Sequence, residues 1–149
     1  LARLCDVFYI GGTKIGALCG EAVVFTHNKA NRHFFSIQKQ HGAVVSKGHL
    51  NGAQIEALFT DNLHFDICRH GNDMAMRMKE MFRRKGYQFH LDSTTNQQFV
   101  VMSNEEAHRL SQHVEFTLFE PLDESHTICR FVTSWATTQE QLDALDKII

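Results

Sequence analysis

The segment Gly11-Gly12-Thr13-Lys14-Ile15-Gly16 brings together residue types that can do chemistry at close quarters. Two glycines let the backbone turn sharply and approach a ligand closely. A single lysine follows on that turn, between two strand-like runs and not on a helix face. A lysine buried at such a point loses its charge readily, and the neutral amine is the form that condenses with an aldehyde to give a Schiff base. The plainer reading is a charged lysine in an exposed loop, and spacing alone does not separate the two. No G-x-x-x-x-G-K-[ST] frame is present, so the segment is not a nucleoside-triphosphate loop.

Ten histidines invite a metal hypothesis. None stands in H-E-x-x-H, and no C-x-x-C pairs with histidines at ligand spacing. Cys68 and His70 are two apart but lack plausible partners, so no metal is expected. None of the four cysteines (Cys5, Cys19, Cys68, Cys129) has a recognisable nucleophile context. They are too few and too scattered for a disulfide scaffold, which points to reduced thiols and a cytoplasmic location.

The elements that must position these residues follow from periodicity. Asp6–Ile10 and Glu21–Phe25 read as strands, the second buried on both faces because its apolar run does not alternate. Residues 29–46 read as a helix, with Phe34, Ile37, His41 and Val44/Val45 on one face. A second helix starts near Asn51, which caps it with Gln54 three residues on. A longer helix runs from Phe65 to Lys85 on a stripe of Ile67, Met74, Met78 and Met81. Gly86 ends it, and the methionines read as core filler.

From about residue 87 the pattern becomes strand–strand–helix–strand–strand–helix. Tyr87–Leu91 and Phe99–Met102 are strands. Ser103 and Glu106 form a capping box. Val114–Glu120 and Thr127–Thr133 alternate like half-buried strands around a turn with Pro121. Thr137 and Glu140 cap a last helix striped by Leu142, Leu145, Ile148 and Ile149. This is a compact α+β lobe. The first 86 residues read as the end of an α/β layer whose other strands lie elsewhere, and the opening at Leu1 without a Met suggests a fragment or processed piece.

Composition bounds the function classes. The 149 residues are 43% hydrophobic and 21% charged, with net charge -2, which excludes disorder. Fifteen basic residues face 17 acidic ones, and the densest basic cluster is Arg83-Arg84-Lys85, so no nucleic-acid partner is expected. No apolar run approaches the roughly 20 residues of a membrane span, so no membrane partner is expected either.

The stretch from Asp6 to Ala17 (DVFYIGGTKIGA), followed by Gly20–Phe25 (GEAVVF), closely resembles the cofactor-lysine segment of the threonine aldolase and β-eliminating lyase group. Gln38–Gly48, Thr95-Asn96-Gln97 and the run from Arg130 to Thr138 (RFVTSWATT) agree with that group, in order along nearly the whole chain. The resemblance implies pyridoxal 5'-phosphate and an α/β fold. Residues 1–70 would be the end of a fold-type-I large domain, a mixed sheet with helices. Residues 71–86 would connect it to a small C-terminal α+β domain at 87–149.

The resemblance also implies roles. Lys14 matches the lysine that holds the cofactor as an aldimine. Thr13 would put a hydroxyl near the phosphate or ring, or be a plain turn hydroxyl. Arg130 matches the arginine that grips the substrate α-carboxylate. A guanidinium in a strand between Ile128 and Val132 is costly unless it meets an anion; a salt bridge to Glu120 or Asp123 is the structural alternative. Arg32 and Lys39 match basic positions near the cofactor phosphate, or lie on a solvated face. The group often has Asn after the lysine, where this chain has Ile15.

The implied reaction is cleavage of a β-hydroxy-α-amino acid, L-threonine or L-allo-threonine, to glycine and acetaldehyde. β-Elimination from an amino acid with a leaving group is the alternative within the group. The resemblance implies a small-molecule amino acid substrate and a homodimer or homotetramer. The group's ring-facing aspartate, stacking histidine and main phosphate loop lie upstream of its lysine segment. These 149 residues alone are therefore expected to be nearly inactive, and a non-catalytic piece that only associates with other chains is the alternative of another class.

Overall fold

The computed structural model describes residues 1–28 and 30–149. Its contacts divide the chain into two units, Leu1–Phe65 and Asp66–Ile149. The first holds β1 (Val7–Gly11), β2 (Glu21–Phe25), α1 (Phe34–Gln40) and α2 (Gly48–Phe59). β1 and β2 pair antiparallel, with Tyr9 opposite Val23 and Gly11 opposite Glu21. Both expected strands form, the first displaced by one residue.

Burial of β2 on both faces is not found in this unit, where Val23 is 57% exposed. Period-two geometry sends Ala22 and Val24 to one face and Glu21 and Val23 to the other. A two-stranded ribbon with helix packed on one side leaves the other side open. α1 is shorter than the helix expected over 29–46, and position 29 lies outside the described residues. Gly42 takes φ 68° and donates to the Lys39 carbonyl at 3.1 Å, which stops the helix before Val44 and Val45. α2 starts earlier than expected. Lys47 stands at its N-cap and Asn51 lies inside it, so the expected Asn51–Gln54 cap does not form.

α3 (Leu63–Arg84) begins at the end of the first unit and carries the core stripe of the second. Met74, Met78, Met81 and Phe82 are buried on it, as core filler should be. Gly86, at φ 88°, closes its C-terminus, and the Tyr87 N–H reaches back to the Phe82 carbonyl at 3.1 Å. There follow β3 (Gln88–Phe89), β4 (Gln97–Ser103), α4 (Asn104–Ser111), β5 (Thr117–Pro121), β6 (His126–Val132) and α5 (Gln139–Asp146). The strands form one antiparallel sheet in the order β3-β4-β6-β5.

One sheet face, with Val100, Met102, Cys129 and Phe131, packs with the α3 stripe, Ala107 and Leu110 of α4, and Leu142 and Leu145 of α5. Burying such side chains is worth about 1.5–3 kcal/mol each and is the main force holding this unit together.

Four local expectations need correction. β5 is exposed at all five positions and not half-buried, because it is the sheet edge and its register shifts between Leu118 and Glu120. Pro121 ends that strand instead of sitting in the turn. Ser103 caps α4, accepting the Glu106 N–H at 3.1 Å, but the box is half made because the Glu106 carboxylate accepts the Tyr87 hydroxyl instead. The last helix is capped one residue later than expected, by a complete Thr138–Gln141 box. Thr137 is engaged elsewhere, accepting the Ser134 N–H at 2.9 Å.

All four cysteines are free thiols. Burial pushes the Cys129 thiol up to about 11, so it is inert at neutral pH. Among the described residues no helix is long and apolar enough to cross a membrane.

Candidate functional site

In the first unit β1 runs into a single 3₁₀ turn, Thr13–Ile15, capped by Gly12 and followed by Gly16 at φ 103°. The Gly12 carbonyl accepts the Ile15 and Ala17 N–H groups at 3.1 Å each, and the Gly12 N–H donates to the Gly20 carbonyl at 3.3 Å. A Cβ on buried Gly12 would stand 3.0 Å from both the Ala17 Cβ and the Gly20 oxygen. A side chain there would press on both neighbours by a few tenths of an ångström, so glycine suits this close approach. Lys14 and Thr13 are exposed on it, and neither forms a hydrogen bond or ion pair among the described residues. Burial of the Lys14 amine is not supplied by this unit.

α2 lies along this turn through three residues on one helix face. Gln54 Oε1 accepts the Leu18 N–H at 2.7 Å and the Cys19 N–H at 3.4 Å. Asn51 Oδ1 accepts the Cys19 thiol at 3.2 Å, and its Cγ is 3.2 Å from where a Cβ on Gly20 would stand. Ile55 Cδ1 lies 3.6 Å from the corresponding position on Gly12. Sequence reasoning assigned Asn51 and Gln54 to a cap and missed this. The available signal was the i, i+3, i+4 spacing of 51, 54 and 55.

Arg32 precedes α1 and Lys39 occupies its last turn, both exposed. Among the described residues no hydrogen bond or ion pair joins either to the Lys14 turn. They are available to an anion without being preassembled around one.

Arg130 belongs to the second unit, in β6, opposite Phe99 of β4 and Thr117 of β5. It lies on the sheet face away from the helices. Its Nη2 donates to Thr117 Oγ1 at 3.3 Å, and its guanidinium carbon stands 5.9 Å from the centre of the Phe119 ring. Its Nε is buried with no hydrogen-bond partner. Neither Glu120 nor Asp123 forms an ion pair with it among the described residues, and Asp123 is engaged by Ser125 and His126. A buried donor left unmade costs about 1–3 kcal/mol, more when charged. A two-oxygen anion would remove that cost.

Among the described residues no three His, Cys, Asp or Glu side chains group in a way that could hold a metal ion.

No family model and no curated protein matches the chain. Among solved structures, a threonine aldolase from Leishmania major superposes with a TM-score of 0.91 at 35% sequence identity, over 99% of this chain and 43% of that one. A serine palmitoyltransferase from Sphingomonas wittichii superposes with a TM-score of 0.65 at 14% identity, over 96% of this chain and 38% of that one. The second likeness speaks to the fold alone. The chain spans less than half the length of either.

Proposed function

Because the chain belongs to the threonine aldolase and β-eliminating lyase group of fold-type-I enzymes, we propose that Lys14 is where pyridoxal phosphate is covalently joined in the whole protein. The reaction we assign is cleavage of a β-hydroxy-α-amino acid such as L-threonine to glycine and acetaldehyde. One observation carries this reading: the Lys14 amine, unengaged among the described residues, stands on a turn whose close approach at Gly12 suits glycine.

The available groups suit the cofactor. Lys14 is exposed and bonded to no acid among the described residues, so its side chain is free to reach the cofactor. Thr13 offers a hydroxyl beside it, and Arg32 and Lys39 supply positive charge for a phosphate. When bound, pyridoxal phosphate supplies a ring that accepts the electron pair of the broken Cα–Cβ bond. The task of the chain is to choose that bond. Arg130 takes the α-carboxylate on its fork, and its unmade Nε bond together with its unpaired charge favours that occupant. A carboxylate held there would limit rotation about the substrate's Cα.

We further assign residues 1–70 to the large domain, 71–86 to the connection and 87–149 to the small domain. The whole protein is a homodimer or homotetramer. Exposed apolar side chains such as Leu18 and Phe35 suit burial at a subunit boundary. The free thiols suit a reducing compartment, which we take to be the cytoplasm.

The test is to load the whole protein with pyridoxal phosphate, reduce it with borohydride and map the labelled peptide. Labelling concentrated at Lys14, with glycine and acetaldehyde released from L-threonine before reduction, is the expected result. Labelling spread over other lysines would overturn the assignment.

A further inference from the structure

We propose that Gln54 is a positioning residue for cofactor attachment, acting on Lys14 through the backbone of Leu18 and Cys19. The proposal rests on the assignment of Lys14 above and adds what holds that lysine in place.

The Lys14 turn is fixed from within only as far as Ala17, where the Gly12 carbonyl accepts the Ile15 and Ala17 N–H groups. Three of its residues are glycines, and Gly16 and Gly20 adopt φ values of 103° and 94°. Its closing bond, from the Gly12 N–H to the Gly20 carbonyl, is long at 3.3 Å. Leu18, the bulkiest side chain in the return segment, is 91% exposed and anchors nothing. The segment from Leu18 to Gly20 would therefore sample many conformations and loosen the turn that it closes.

Gln54 removes that freedom from outside the turn. Its Oε1 collects two successive backbone N–H groups, Leu18 at 2.7 Å and Cys19 at 3.4 Å. Its own amide is held in turn, since Nε2 donates to the Leu50 carbonyl one helical turn back at 3.1 Å and faces the Cys19 sulfur at 3.8 Å. Rotating the amide by half a turn would face its NH₂ to two N–H donors, so one orientation is strongly preferred. The acceptor is thereby pre-set on a rigid element, α2, which also supports the turn at Gly12 through Ile55 and at Gly20 through Asn51. A reacting group displaced by about 1 Å can lose about 100-fold in rate, so a clamp on residues 18 and 19 acts on the chemistry at residue 14.

Two variants of the whole protein test this. Gln54→Met keeps length and helix propensity but has no acceptor oxygen. Gln54→Glu keeps the acceptor. Amide hydrogen exchange over residues 16–20, without cofactor, reports the clamp directly, and exchange within α2 reports whether the helix is intact. The rate at which borohydride-trapped pyridoxal phosphate accumulates on Lys14 reports the consequence.

Gln54→Met is expected to speed exchange at Leu18 about ten-fold and to slow Lys14 labelling by about ten-fold or more, with exchange in α2 unchanged. Gln54→Glu, which keeps the acceptor but loses the donor to the Leu50 carbonyl, is expected to restore both in part. Labelling of Lys14 at the wild-type rate in Gln54→Met would overturn the proposal while leaving the Lys14 assignment standing, as would a Gln54→Glu variant as slow as Gln54→Met. Failure of the wild-type protein to label at Lys14 would overturn both.

Discussion

Arg130 and Thr117 face each other across the β5–β6 pair, with Nη2 3.3 Å from the threonine hydroxyl, so one arm of the guanidinium is already held within the sheet. The Phe119 ring backs the same group. The fork is thus pre-oriented by neutral neighbours and retains its full charge for a ligand. Arg130→Lys keeps the charge but loses the planar pair of donors. We expect KM for L-threonine to rise by about 10- to 100-fold, the equivalent of one lost charge-assisted hydrogen bond, with borohydride labelling of Lys14 unchanged. Steady-state kinetics beside peptide mapping check this, and loss of labelling would show that Arg130 serves the cofactor and not the carboxylate.

Gly20→Ala puts a Cβ where the φ of 94° disfavours one and where Asn51 stands 3.2 Å away. A positive φ costs an L-residue roughly 1–2 kcal/mol. The expected result is faster amide exchange across β1 and β2 and weaker retention of pyridoxal phosphate at Lys14. Gly16→Ala, also at positive φ but with open space around it, should disturb the turn less. Equal effects of the two would mean that the Asn51 contact is immaterial.

How far these features could be read from the sequence depended on what each one rests on. The methionine stripe of α3 is periodic, and burial follows periodicity, so it was legible. The cap of α5 was misplaced by one because Thr137 and Thr138 each have a polar partner three residues on, Glu140 and Gln141. The choice was made by the Ser134 N–H, which takes Thr137. Asn51 and Gln54 present the same N-x-x-Q pattern as a cap, yet their partners lie more than 30 residues away at Leu18 and Cys19. Local pattern carries no record of such a partner. Lys14 was legible only through the resemblance of the surrounding segment, since its exposed side chain has no bond among the described residues to mark it.

Lys79 is a buried cation in the second unit, with its amine on the Ser93 carbonyl at 2.7 Å and paired with Asp92. The hydrogen bond from Lys79 to Asp92 is the leading cause that holds the Asp92 carboxyl below its ordinary value. Lys79→Met retains the buried stem and removes the donor from a buried carbonyl. Unfolding by urea should show a loss of about 1–3 kcal/mol. A stability unchanged or raised would mean that freeing the ammonium from its desolvation cost offsets the lost bonds.

Asp123 organises the turn between β5 and β6. Its Oδ1 accepts the Ser125 N–H at 2.7 Å, the Ser125 hydroxyl at 2.9 Å and the His126 N–H at 2.8 Å. These donors, the Ser125 backbone first, hold its carboxyl at about 2 against an ordinary 3.8. A carboxyl whose folded value is depressed stabilises the fold fully above the ordinary value and loses that contribution as pH falls through the folded one. Asp123→Asn keeps an acceptor but not the charge. Its melting temperature should therefore lie below that of the wild type at pH 7, and the gap should narrow between about pH 4 and about pH 2. Thermal melts across that range decide the matter. A gap independent of pH would mean that the carboxylate acts in this turn by shape and not by charge.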